Sequence, residues 1–196
     1  MALTGVCMFL FLVGHLGGNL FLLSGPDRFN GYARILNSIP LVAPVEIGLL
    51  VLALLHAVSA VQVTLENWRA RPQGYVMKRT AGSSTLASRT MWIGGLVLAA
   101  FIPLHVWMFK YGDHNGAQEL YGLVVRSFKN PLIAGWYVVA MIPLGLHMSH
   151  GFASALQTLG VNRPNWRPRL QLAGALLGWA IALAFLALPV WAFLLA

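Results

Sequence analysis

Five long apolar segments constrain this chain more than any other feature of its sequence. A helix needs about 20 mostly apolar residues to cross a bilayer. Five segments reach that length, at residues 2–23, 43–65, 90–109, 131–161 and 170–194, and Glu46 is their one charged residue. The sequence therefore predicts an all-α membrane protein with five transmembrane helices, forming a single transmembrane domain over residues 1–196.

The charged residues exclude several classes of protein. Only 9% of the residues are charged, against about 25% in an average soluble domain. The net charge of +8 suggests nucleic-acid binding, but the thirteen Lys and Arg residues are scattered between apolar segments, whereas that binding needs cations gathered on one face. The single cysteine, Cys7, excludes a disulfide framework, a Cys-rich zinc site and an iron–sulfur cluster. We expect a lipid bilayer around the chain and no nucleic-acid partner.

The basic residues of the loops predict the orientation in the membrane, because cytoplasmic loops carry an excess of Lys and Arg. Eight cations fall in two loops on one side: Arg69, Arg71, Lys78, Arg79, Arg89, Arg163, Arg167 and Arg169. Five fall on the other side, among three acids: Arg28, Arg34, Lys110, Arg126 and Lys129. The N-terminus is therefore expected in the cytoplasm and the C-terminus outside. The aromatic residues in the outer loops, 25–42 and 110–130, favour short interfacial helices there.

Histidines are the informative residues of the spans. Ionisable residues are rare at membrane depth and face the interior of a bundle. Five of the six histidines lie in predicted spans: His15, His56, His105, His147 and His150. A single membrane histidine is equally well explained by a hydrogen bond to a neighbouring helix. One histidine in each of the first three helices and a pair in the fourth instead indicate a site built from four helices. The sixth, His114, lies beside Asp113 and Asn115 and is interpreted as a solvated loop residue.

The depth of each histidine sharpens this prediction. With a rise of about 1.5 Å per residue, His15 lies roughly 12 Å and His105 about 8 Å below the outer ends of their helices. His56 and His147 lie roughly 20 and 22 Å below the outer ends of theirs. Two imidazoles from different helices at one depth form the axial ligand set of a low-spin haem, and a helix bundle is a natural place for that cofactor. The pattern predicts a four-helix bundle enclosing two b haems. Because His147 and His150 share roughly one face, depth leaves both open as the fourth ligand.

Other uses of the histidines fit less well. A structural zinc site needs four clustered ligands, often with cysteine, and the two layers spread these histidines apart. A proton relay normally enlists carboxylates inside the membrane, and Glu46, near a helix end, is the one candidate. Five glycines flank the histidines: Gly14, Gly17, Gly18, Gly145 and Gly151. They leave room for a porphyrin, but they equally allow close helix approach, so both interpretations stay open.

Four stretches of sequence are similar to a known family. They are Met1-Ala-Leu-Thr-Gly5 to His15-Leu-Gly-Gly-Asn19, Leu55-His56 through Gln62-Val-Thr-Leu-Glu-Asn67 to Arg69-Ala-Arg71-Pro72, Ser88-Arg89-Thr90-Met91, and His147-Met-Ser-His150-Gly151-Phe152 to Gln157-Thr-Leu-Gly160. Over essentially its whole length the chain resembles the five-helix, two-haem cytochrome b subunit of succinate:quinone oxidoreductases, which include succinate dehydrogenases and fumarate reductases. The basic stretch that usually precedes the Met1-Ala-Leu-Thr-Gly5 run in that family is not part of the given sequence.

The resemblance implies a ligand set. His15 and His105 would hold the haem far from the soluble subunits, and His56 and His147 the nearer one, in agreement with the depth layers. The family places its ligand four residues before a glycine of the fourth helix, a spacing that favours His147, with Gly151, over His150. Haem propionates need cationic or polar partners near a membrane surface, so Ser88, Arg89 and His150 are candidate contacts of the nearer haem. Arg89 fits equally well as a helix-end cation that extends to the membrane interface.

The resemblance also implies the partners and the reaction. A flavoprotein subunit oxidises succinate to fumarate, an iron–sulfur subunit passes the electrons on, and this subunit delivers them to membrane quinone in the cytoplasmic membrane of a prokaryote. The subunit alone would not oxidise the dicarboxylate. Its basic cytoplasmic loops are candidates for docking the iron–sulfur subunit, although topology and anionic lipid account for such charge as well.

Three alternatives remain at this point. The cytochrome b subunit of a membrane hydrogenase or formate dehydrogenase uses the same bundle chemistry. A non-haem transporter or channel would typically show broken helices or buried carboxylates. A purely structural anchor would leave five intramembrane histidines without explanation.

Overall fold

The described parts of the chain are almost entirely helical. The computed structural model describes residues 1–70, 86–113, 119–161 and 163–196. These hold seven α-helices and two 3₁₀ turns: α1 (Ala2–Leu20), α2 (Pro26–Ser38), α3 (Val42–Arg69), α4 (Leu86–Lys110), α5 (Glu119–Phe128), α6 (Pro131–Thr158) and α7 (Arg167–Leu194), with the turns at Phe21–Ser24 and Pro164–Trp166. Arg71, Lys78, Arg79 and His114, named above, lie outside the described residues.

Five of these helices are long and apolar enough to cross a membrane: α1 with the turn that follows it, α3, α4, α6 and α7. The prediction of an all-α membrane protein with five transmembrane helices is confirmed. The helices α4 and α7 begin at Leu86 and Arg167, several residues before the apolar segments do, because the helical backbone continues through polar residues. The helix α6 ends at Thr158, since Gly160 adopts a φ of +100° that glycine tolerates best.

The helices α6 and α7 form the tightest contact of the bundle, through glycines. A Cβ atom at Gly174 would lie 2.6 Å from the Ser149 carbonyl oxygen, and one at Gly178 would lie 2.7 Å from the Ser149 backbone nitrogen. Small residues of this kind let membrane helices approach until their backbones touch. On another side of α6, Gly94 of α4 packs against Pro143. The helix α6 is thus the centre of the bundle, in contact with α7, α4 and α1.

The two short helices, α2 and α5, pack against each other at one end of the bundle. The buried Asn30 side chain accepts a hydrogen bond from the Tyr121 backbone N–H at 2.9 Å, and an exposed ion pair joins Arg34 to Glu119 at 2.8 Å. The buried hydrophobic cluster beside them consists of Leu22, Phe29, Phe101, Val124, Phe128, Tyr137, Ala140, Met141, Leu144, Leu188 and Ala192. The expected short helices are therefore present, and the half of the bundle nearest them holds the main buried cluster of the described residues.

The helix α3 is packed differently from the others. None of its residues, all of which are described, is buried. It contacts α1 and α4, with Trp68 against Trp92 near one end and an ion pair between Glu46 and Lys110 near the other. A helix that is apolar all round suits a lipid environment. This loosely packed helix carries His56.

Candidate functional site

Two histidines face each other in the half of the bundle nearest α2 and α5. The ring centres of His15 on α1 and His105 on α4 lie 5.7 Å apart, and the ring planes make an angle of 85°. Aromatic rings surround them: Phe11 stacks on His15 at 5.4 Å, Phe101 stacks on His105 at 5.7 Å, and Phe185 lies 5.8 Å from His15. Both histidine rings are thus held in an apolar, aromatic environment.

A second pair lies in the other half of the bundle. The ring centres of His56 on α3 and His147 on α6 are 6.2 Å apart, with 64° between the planes. A glycine lies beside each ring: a Cβ atom at Gly5 would lie 3.4 Å from His56 Cε1, and one at Gly95 would lie 3.9 Å from His147 Cε1. The absence of a side chain at Gly5 lets α1 run close beside the ring of His56.

Hydroxyl groups from other helices reach one ring nitrogen in each pair. Thr4 Oγ1 lies 3.1 Å from His56 Nδ1, and the Tyr137 hydroxyl lies 3.2 Å from His105 Nδ1. Sequence reasoning named neither residue as part of the site. The one signal for them in the sequence is that a hydroxyl at membrane depth needs a polar partner, and this signal does not say which histidine that partner is.

The two pairs lie in separate layers. Along α4, Gly95 is level with the ring of His147, and His105 follows ten residues later. Along α6, Tyr137 contacts His105, and His147 follows ten residues later. Both helices therefore separate the layers by about 15 Å. The structure brings together the same two pairs that the depths along the helices indicate; their ligation of iron stays a prediction.

The remaining ring nitrogens have different surroundings. Within the part of the chain that the structure describes, His147 Nδ1 is buried and has no hydrogen-bond partner. Near His15, the Asn19 amide nitrogen donates to the His15 carbonyl oxygen at 2.8 Å and lies 3.3 Å from Nε2 and 3.4 Å from Nδ1 of the ring. The Asn19 side chain therefore lies beside both nitrogens of the His15 ring.

The three candidate propionate contacts lie near the other end of the bundle from α2 and α5. Ser88 and Arg89 occupy the first turns of α4, where Ser88 is half-buried and Arg89 exposed. His150 is half-buried on α6, one turn beyond His147. All three stay predictions.

The geometry of both pairs fits a haem. Two imidazoles that bind one metal from opposite sides, at a metal–nitrogen distance of about 2 Å, have ring centres roughly 6 Å apart. A porphyrin supplies four nitrogen ligands, so two histidines would complete the coordination of its iron. No group of three or more His, Cys, Asp or Glu residues in the described segments is close enough to hold a metal ion, so the donor set suits a haem better than zinc. Beside His15, Gly14 and Gly17 have open space where a Cβ atom would stand.

Comparison with known proteins points to the same chemistry. The chain is 26% identical over 157 residues to the succinate dehydrogenase cytochrome b558 subunit of Bacillus subtilis (strain 168), with 78% of this chain and 73% of that protein covered. No family model matches the chain, and no solved structure matches it at a significant level. The relative confirms the expected resemblance to the cytochrome b subunit of succinate dehydrogenases and favours it over the hydrogenase, formate dehydrogenase and transporter alternatives. The two-haem form stays a prediction.

Proposed function

We propose that this chain is the dihaem cytochrome b subunit of a succinate dehydrogenase, which anchors the complex in the membrane and passes electrons from an iron–sulfur subunit to quinone. One observation carries the proposal: two histidine pairs, with ring centres 5.7 and 6.2 Å apart, lie in two layers of one membrane helix bundle. The similarity to a succinate dehydrogenase cytochrome b558 subunit supports the choice of complex.

The axial ligands in this proposal come from four helices. His15 and His105 hold one iron, and His56 and His147 hold the other. A bound haem b supplies a one-electron carrier whose reduction potential depends on its ligands, its hydrogen bonds and its burial. The protein's own part is to hold each pair of imidazoles at a fixed separation and to surround them with apolar side chains. The layers lie about 15 Å apart along α4 and α6, so the two one-electron carriers that they would hold would be spaced along the length of the bundle.

The cationic end of the bundle is the proposed docking surface for the iron–sulfur subunit. Its described cations are all exposed: Arg69, Arg89, Arg163, Arg167 and Arg169. His56 and His147 belong to the layer nearest this end, so they would hold the haem closer to the proposed iron–sulfur partner. Ser88, Arg89 and His150 are proposed to contact its propionates, since cationic and polar groups stabilise carboxylates near a membrane surface.

The subunit depends on its partners for the dicarboxylate chemistry. We assign the oxidation of succinate to a flavoprotein subunit, so this chain alone is expected to have no succinate-oxidising activity. Membrane quinone is the acceptor that this chain serves.

The direct test is an absorption spectrum of the purified membrane complex, with its subunits identified by mass. We expect a haem Soret band, about two haems per copy of this chain, and a flavoprotein and an iron–sulfur subunit in the same preparation. A complex without a Soret band would refute the proposal as a whole. One haem per chain would refute the two-layer assignment alone.

The orientation is tested independently. We propose that the chain lies in the cytoplasmic membrane of a prokaryote with its N-terminus in the cytoplasm, as the loop cations favour. Alkaline phosphatase fused after Ala196 is then expected to be active, because it folds outside the cytoplasm, whereas a fusion after Ala70 is expected to be inactive. Fluorescent protein fusions at the same two positions should give the opposite pattern. Activity after Ala70 and none after Ala196 would reverse the assignment.

A further inference from the structure

Each histidine pair contains one ring whose Nδ1 meets a hydroxyl group from a neighbouring helix. Thr4 on α1 reaches His56 on α3 at 3.1 Å, and Tyr137 on α6 reaches His105 on α4 at 3.2 Å. These partners are 52 and 32 residues apart in sequence. The contacts are therefore made by the tertiary fold, one in each layer.

The hydrogen bonds of Thr4 fix the direction of its contact with His56. The Thr4 hydroxyl donates its own proton to the Met1 carbonyl oxygen at 2.8 Å, so its lone pairs are left for the imidazole. Thr4 Oγ1 therefore accepts a hydrogen bond from the Nδ1–H group of His56. In a neutral imidazole that tautomer leaves Nε2 unprotonated, which is the state that a metal requires.

Tyr137 makes the equivalent contact in the other layer. Its side chain is buried, with 6% of its surface exposed, and Phe101, Phe109 and Phe128 pack around its ring. If His105 bound iron through Nε2, its Nδ1 would carry a proton, and the phenol oxygen would accept a hydrogen bond from this Nδ1–H group. The packing of its ring holds the Tyr137 hydroxyl in place.

The partners of these two histidines lack such a contact. In the described part of the chain, His147 Nδ1 is buried without a hydrogen-bond partner. The group beside the ring nitrogens of His15 is the Asn19 amide nitrogen, which donates and cannot accept an N–H. Each pair is therefore asymmetric, with one ligand held by a hydroxyl acceptor.

We propose that Thr4 and Tyr137 are positioning residues that set the reduction potentials of the two haems separately, Thr4 through His56 and Tyr137 through His105. This inference rests on the proposed function. An Nδ1–H that donates a hydrogen bond makes the imidazole a stronger electron donor, and a stronger donor favours ferric over ferrous iron. Each hydroxyl thus lowers the potential of the haem in its own layer.

The test compares Thr4→Val and Tyr137→Phe, which remove only the hydroxyl's hydrogen bonding, by redox titration of the purified complex. We expect Thr4→Val to raise the midpoint potential of the haem bound by His56 and leave the other unchanged, and Tyr137→Phe to do the reverse. The haem content should equal that of the wild type. Repeating Thr4→Val in a His105→Ala background, where only the haem of His56 remains, identifies the haem that responds.

Two variants serve as controls. Thr4→Ser keeps a hydroxyl and is expected to restore the wild-type potential. Ser59→Ala, one turn from His56 on α3, removes a hydroxyl that donates to the Leu55 carbonyl of its own helix at 2.7 Å and should shift neither potential. Unchanged potentials in a complex with both haems, equal shifts of both haems, or loss of haem on removal of either hydroxyl would each overturn this inference and leave the proposed function standing. A wild-type complex without haem would instead refute the proposed function itself.

Discussion

Replacing His56 or His147 with alanine is expected to remove one haem and to leave the other, so that the haem content falls from about two to about one per chain. His15→Ala or His105→Ala should remove the opposite haem. The reason is that, in the proposed arrangement, each pair, with ring centres 6.2 or 5.7 Å apart, would supply both ligands of one iron, and the layers would share no ligand. Haem per purified complex, measured by pyridine haemochrome absorbance, gives the count.

Two neighbours of His147 on α6 provide matched controls for this experiment. Ser149→Ala, two residues from His147, removes a hydroxyl that donates to the Leu146 carbonyl of its own helix at 2.9 Å, and it should retain both haems. The variant His150→Ala should also retain both haems, because His147 and not His150 faces His56. If the His150→Ala complex held one haem and the His147→Ala complex held two, the ligand on α6 would be His150 and not His147.

Gly178→Ala is expected to destabilise the bundle by about 1–3 kcal/mol, the usual cost of overpacking a close contact. The new Cβ atom would lie 2.7 Å from the Ser149 backbone nitrogen and 3.1 Å from the Gly145 carbonyl oxygen. Backbone atoms cannot rotate out of the way, so α6 and α7 must separate. The shift should displace His147 relative to His56, so we expect a lower thermal midpoint and earlier loss of the haem in that layer.

A glycine of α6 with free space around it shows what the same substitution costs without a clash. Gly135 has nothing within 4 Å of the place where a Cβ atom would stand, so Gly135→Ala is expected to leave the thermal midpoint unchanged or raise it, since alanine is favoured by about 1 kcal/mol in a helix. Thermal unfolding followed at the Soret band compares the two. Equal midpoints for Gly178→Ala and the wild type would show that the helices adjust without cost.

The sequence is sufficient to predict the spans and the histidine layers, because both follow from one-dimensional patterns. Apolar length marks a membrane helix, and the rise per residue converts the positions of His15, His56, His105 and His147 into depths. The same arithmetic does not find the first residues of α4 and α7, since a helix extends beyond its apolar residues as far as its backbone hydrogen bonds continue. Aromatic residues indicate the short helices α2 and α5. They do not predict the hydrogen bond from the Tyr121 backbone N–H to Asn30 that joins these helices.

The contacts made through hydroxyl groups escape sequence reasoning for a different reason. Thr4 and Tyr137 reach histidines on other helices, and which faces meet depends on how each helix is rotated about its axis. That rotation is set by packing, for example by the approach of Gly178 to Ser149. A glycine in a membrane helix is compatible with either close packing or space for a ligand, and only the three-dimensional arrangement separates Gly178, which is packed, from Gly14, which is open.

The loose packing of α3 has a consequence for the biogenesis of the protein. The helices α6 and α7 associate through direct backbone contact, so this pair is able to form as soon as both helices are inserted. The helix α3 has no buried residue and carries one histidine of a pair, so an iron held by His56 and His147, as proposed, would tie α3 to α6. Binding of that haem would then add to the contacts that hold α3 in the bundle.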